Sequence, residues 1–178
     1  MAGLLFLAFA YLAVGQAGAT RSDAQTAADA AALAAAQEAR DELAEQWLDK
    51  VLDPASWQRI FDGDTQVGDP CWRAYQLAAR NDASLDRCGS DGLLSYRVVA
   101  VTNKSVGDTI VPGTEGQKAT ESATAVIEPR CSFELSEESA ADDALPRLTC
   151  KDKNWDLKPD DLVDLPQPQD LFDVHLAD

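Results

Sequence analysis

The sequence predicts an α+β fold. A long N-terminal helix, comprising a membrane span and a stalk, precedes a small head of short helices and a three- to four-stranded antiparallel sheet, stapled by disulfides. Three observations carry this. Met1 to Leu52 contains no proline and is dense in Ala, Leu, Gln and Glu, which lose little side-chain entropy in a helix. The apolar pattern changes to strand-like runs after about residue 92. Four cysteines punctuate the second part: Cys71, Cys88, Cys131 and Cys150.

The first twenty residues, MAGLLFLAFAYLAVGQAGAT, carry no charged side chain. Residues 4–14 read as the apolar region of a signal sequence, and Ala17-Gly18-Ala19 fits the small-x-small cleavage rule. No basic residue precedes them, and the helical pattern runs through the cleavage point, so an uncleaved anchor over residues 1–20 is the expectation, with the true start upstream of Met1. Arg21 is the only basic residue near the span, so charge asymmetry does not set its orientation; the cysteines put the head outside the cytoplasm.

Residues 21–52 continue as an alanine-rich helical stalk, giving a helix of roughly 75–80 Å in all. Leu33, Ala36, Leu43, Trp47, Val51 and Leu52 fall near one face. With Leu48, the large residues concentrate at the end that packs into the head. Ala27–Ala36 leaves a smooth surface that a second helix can approach closely, although alanine also favours helicity for its own sake. Helix–helix assembly is therefore assigned to Leu4, Leu5, Leu7, Tyr11, Ala27, Ala28, Ala31, Ala34 and Ala35.

The head spans residues 53–157. Asp53-Pro54 breaks the helix, and Asp53 is the expected N-cap of a short helix to Phe61. Gly63-Asp64 turns the chain. A second short helix covers about Asp69 to Asn81, with Pro70 in its first turn, and Asn81 to Gly92 reads as a turn-rich connection. Leu93 to Thr102, apolar on both faces, reads as a central strand. Ser122 to Leu135 alternates, with Ala123, Ala125, Ile127, Cys131, Phe133 and Leu135 on the dry face and Pro129 marking an edge or a bulge. Arg147 to Leu157 is the third strand. Loops occupy 103–116 and 136–146, and residues 158–178 read as an acidic, proline-containing extended tail whose Leu171, Phe172 and Val174 can dock.

The cysteine spacings are 17, 43 and 19, without a CxxC pair. That is unlike the short ligand pairs of structural zinc sites and points to two disulfides and an oxidising compartment. Of three pairings, neighbour pairing is preferred, because each bond then closes a short loop.

Acidic residues number 31 against 15 basic, a net charge of −16, all of it after Thr20. Such a surface disfavours nucleic acid. No nucleophile elbow, phosphate loop or metalloprotease motif occurs, and the single histidine, His175, falls in the tail, so neither an enzyme nor a cofactor or metal site is expected. Asp62-Gly63-Asp64 and Asp142-Asp143 read as solvated loops, and the Asn103-Lys104-Ser105 sequon as an exposed one.

The order of apolar span, Arg21, Ser22–Gln25 and the run AADAAALAAA resembles the N-terminal region of TadE/TadG-like proteins of Flp (Tad) pilus assembly, over roughly the first 40 residues. Leu5 stands where pilin-type subunits carry a glutamate, taking Met1 as the first mature residue. The resemblance implies a pilin-like outline for the fold and a role as a TadG-like pseudopilin or pilus-assembly accessory subunit. It implies partners of two kinds: membrane lipid through residues 1–20, and other pilus or filament subunits, including copies of itself. The alternative is a secreted or anchored acidic domain that binds a cationic partner or calcium.

Overall fold

The computed structural model describes residues 2–105, 116–135 and 145–177; within the first helix, side chains are described at 11, 15 and from 18 onward. Helix α1 runs without a break over Ala2–Asp49, about 72 Å at 1.5 Å per residue. It stops three residues before the expected end. The amides of Val51 and Asp53 tighten onto the carbonyls of Leu48 and Lys50 ahead of Pro54. Leu48 and Leu52 are consequently exposed, whereas Leu43, Trp47 and Val51 are buried as their spacing predicts.

A single 3-10 turn, Pro54–Ser56, leads into α2 (Trp57–Phe61). Asp53 does not cap backbone amides there; its carboxylate accepts the Ser56 hydroxyl at 2.6 Å. Gly63 then turns the chain at φ +70°, where a Cβ would lie 2.9 Å from the Leu93 carbonyl oxygen. Helix α3 (Cys71–Arg80) follows, and Asp69 Oδ1 accepts the Cys71 amide at 3.0 Å.

Four strands form the main antiparallel sheet in the order β1-β2-β3-β7: β1 (Ala83–Ser90), β2 (Ser95–Thr102), β3 (Thr120–Pro129) and β7 (Phe172–Leu176). A second sheet takes the short strands β4 (Cys131–Ser132), β5 (Leu148–Cys150) and β6 (Asn154–Trp155). The expected strand over 122–135 thus divides at Pro129 and Arg130. Pro129 pairs with Phe172 of β7 but lies past Val126, the last residue of β3 that β2 reaches, so it occupies a local edge as expected, and there the chain passes from one sheet to the other. The expected strand over 147–157 is a tight β5–β6 hairpin.

Two further expectations are corrected. Residues 81–92 are not a connection but contain β1, an edge strand with a register shift between Leu85 and Arg87. Its polar sequence fits an edge with a wet face, and β2 supplies the backbone partners. Residues 158–178 are not extended throughout and end in regular structure. Helix α4 (Pro168–Leu171) turns the chain into β7, and Leu171 and Phe172 dock as expected, fully buried.

The core lies between the main sheet and α1, which packs on β2, β3 and β7 while α3 lies beside it and against β1. The residues read as a stalk from Ala24 onward are therefore the spine of the head. Ala27, Ala28, Ala31 and Ala35 are 0% exposed and Ala34 is 5% exposed. Their surface is covered within the chain, not left open to a second helix. The reason is size: methyl groups on α1 meet Ala100, Ala123 and Ala125 on the sheet, so the two layers approach closely. Ala31→Leu is accordingly expected to overpack this layer and lower stability by about 1–3 kcal/mol in a urea melt.

An aromatic chain closes the far end of α1. Trp47 lies 5.3 Å from Trp57, Trp57 5.2 Å from Phe133, Phe133 5.9 Å from Phe61, and Phe61 5.3 Å from Phe172, centroid to centroid. It joins α1, α2, the segment after β4, and β7. Two disulfides complete the frame with the neighbour pairing expected. Cys71–Cys88 ties α3 to β1, and Cys131–Cys150 joins directly opposed residues of β4 and β5.

Candidate assembly surface

The N-terminal part of α1 extends beyond the head. Tyr11 is 80% exposed; Gly15, Gly18 and Ala19 are exposed; and a Cβ built on either glycine meets nothing within 4 Å. Among the described residues the first buried one is Ala24, about 30 Å along the helix from Ala2. Leu4, Leu5 and Leu7 lie on this helix, with their side chains outside those described. Among the described residues, no helix is long and apolar enough to cross a membrane; most side chains of 1–17 are not among them. The nine residues assigned to assembly therefore fall into two groups: four on the projecting helix and five alanines under the sheet.

Arg21 marks the junction. Its Nε lies 2.6 Å from Glu121 Oε1 on β3, holding the helix to the sheet where it enters the head. Gln25 Nε2 donates to Asp29 Oδ1 at 2.7 Å one turn later, and the Thr26 hydroxyl donates to the Ser22 carbonyl at 2.9 Å. Nearby, Lys104 pairs with Asp82 at 2.9 Å, and that hydrogen bond raises the ammonium pKa above its ordinary value. The cleft at this junction is lined by Asp23, Arg80, Asp82 and Lys104 among others. Those groups are exposed.

A second set of residues on α1 is missed by an apolar reading of the helix. Glu38, Glu42 and Gln46 recur every four residues and form a polar row. Glu38 accepts the Trp72 indole N–H at 3.2 Å and lies 3.8 Å from the Arg73 guanidinium. Glu42 accepts the Gly68 amide at 2.6 Å, and a Cβ on Gly68 would come within 2.8 Å of that carboxylate, so a larger residue there would push the Glu42 side chain aside. Gln46 donates to the Gln66 carbonyl and accepts from the Thr65 hydroxyl. The row laces residues 65–73 onto the helix. Burial raises the Tyr96 phenol above its ordinary pKa, with the Glu42 carboxylate adding to the effect. The i, i+4 polar spacing was the available signal.

Residues 1–38 match the Tad family model, Flp pilus-assembly TadE/G-like. The TadE/G-like segment therefore takes in the projecting helix, the Arg21 junction and the buried alanine run, and ends at the first residue of the polar row. No curated protein and no solved structure matches the chain. At the family level the match supports a pilus-assembly related role and a place in the cell envelope or pilus. Asp62 and Asp64 belong to ordinary loop geometry, with Asp62 Oδ1 accepting from Gln58 Nε2 at 2.9 Å, while Asp142 and Asp143 lie outside the described residues.

Proposed function

We propose that this chain is a TadG-like pseudopilin or pilus-assembly accessory subunit. The projecting N-terminal helix inserts among apolar partners, either membrane lipid or neighbouring subunit helices, and the acidic disulfide-bonded head is displayed outside the cytoplasm in a pilin-like arrangement. The observation that carries this reading is the TadE/G-like match over a helix that runs unbroken from Ala2, past the exposed Tyr11, into the packed part of the head. The mechanism is association through apolar side chains at Leu4, Leu5, Leu7 and Tyr11. The alanine run holds the helix to its own head, so helix and head move as one body.

The test replaces Leu4, Leu5 and Leu7 together by Asp and places a photo-crosslinking residue at Tyr11. The expected result is loss of the Tyr11 crosslinks to envelope or filament components, with the head still folded by near-ultraviolet circular dichroism. Electron microscopy of the native material should show assembled structures that the variant lacks. Unchanged assembly and fractionation in the triple variant would contradict the proposal and favour the free acidic binding domain.

A further inference from the structure

The outer face of the β3–β7 pair holds a group of side chains that the assembly reading does not use. The two strands pair antiparallel with Glu128 opposite Asp173 and Val126 opposite His175. Alternation along β7 turns Phe172 into the core and Asp173 and His175 to the other face. On β3, Ile127 is buried and Glu128 is exposed by the same rule. His175, read from the sequence as a tail residue, is thereby fixed on a strand beside two carboxylates. One ligand atom from each of Glu128, Asp173 and His175 lies within 4.8 Å of the other two, and His175 Nδ1 is 3.6 Å from Asp173 Oδ2.

We propose that Glu128, Asp173 and His175 form a surface site for a divalent transition cation of the zinc type. Bonds of about 2.0–2.2 Å to imidazole nitrogen and carboxylate oxygen place neighbouring ligand atoms about 3.4 Å apart around a tetrahedral centre. The His175–Asp173 pair, at 3.6 Å, is already near that spacing, and the remaining separations, within 4.8 Å, exceed it by at most about 1.4 Å, a gap that rotation of exposed side chains closes. Two carboxylates neutralise the charge of the cation, and water completes the coordination. The imidazole nitrogen selects zinc-like ions over calcium or magnesium, which favour all-oxygen sets. The Lys151 ammonium lies 3.5 Å from Glu128 Oε1. It competes for that carboxylate, so binding must displace it. An occupied site would cross-link β7 to β3 and hold the last strand of the sheet in place.

The full chain is titrated with zinc chloride alone, and thermal unfolding is followed with zinc or with calcium. The expected result is one equivalent of zinc bound and a raised Tm with zinc but not with calcium. His175→Gln and Asp173→Asn should each weaken binding by about tenfold or more, while Lys151→Ala should tighten it. All three positions are solvent-facing, and metal-free circular dichroism checks that each variant folds. Zinc affinity unchanged by His175→Gln, or lost equally in an Asp160→Asn control, would overturn the assignment in favour of diffuse binding to an acidic surface. A failure to bind zinc at all would do the same. Neither result touches the assembly reading, because the site lies on the head and the assembly test on the helix.

Discussion

Trp47→Ala is expected to destabilise the head by about 3–5 kcal/mol, measured as a fall in the urea midpoint with an unchanged slope. Trp47 is 0% exposed and begins the aromatic chain that reaches β7 through Trp57, Phe133 and Phe61. Its removal leaves a ring-sized cavity where α1, α2 and the sheet converge, and rigid neighbours do not collapse to fill it. The indole Nε1 has no hydrogen-bond partner among the described residues, in contrast to Trp57, whose Nε1 donates to the Lys50 carbonyl at 2.9 Å. Trp47→Phe keeps most of the ring contact and removes the unpaired donor, so it should cost far less than the alanine variant. Equal losses in the two variants would show that volume at this position is not what matters.

Replacing Cys131 and Cys150 together by Ala is expected to cost about 3 kcal/mol, from the added freedom of an unfolded chain no longer closed over a 19-residue separation. The effect should be concentrated in the small sheet. There β4 and β5 pair at only two positions, and so do β5 and β6. Hydrogen exchange would show early loss of protection at Leu148 to Trp155, with α1 and the main sheet still protected. Opening Cys71–Cys88, by contrast, loosens α3 from an edge strand that β2 continues to hold through seven paired positions.

The parts of this fold that are local in sequence are legible in it. An unbroken proline-free run gives α1, and β3 shows its buried Ala123, Ala125 and Ile127 at period 2. The disulfides follow from loop length. β1 is hidden because its residues are polar and its order comes from β2 and from Cys88, not from its own propensity. β7 is hidden because Phe172, Val174 and Leu176 alternate among prolines and aspartates, and its partner strand lies more than 40 residues earlier. The alanine run is legible as a surface made for close approach. Whether the approaching layer belongs to the same chain is not encoded locally; it depends on where the strands bearing Ala100, Ala123 and Ala125 come to rest. For the same reason the juxtaposition of Glu128 with Asp173 and His175 could not be read before the β3–β7 register was known.

That register also sets an order of events in the making of the molecule. β7 pairs with β3 and packs on α1, so the layer that covers the helix is completed by residues 172–176. During synthesis or export, α1 emerges before the strands that cover it and waits for some 120 further residues before its cover is complete. Until then part of its methyl-lined face stays wet, exposed to any chaperone or neighbouring chain that favours apolar surface. Secretion of a chain whose last strand is removed should therefore end in capture or degradation, and a folded head marks one that has been delivered through β7.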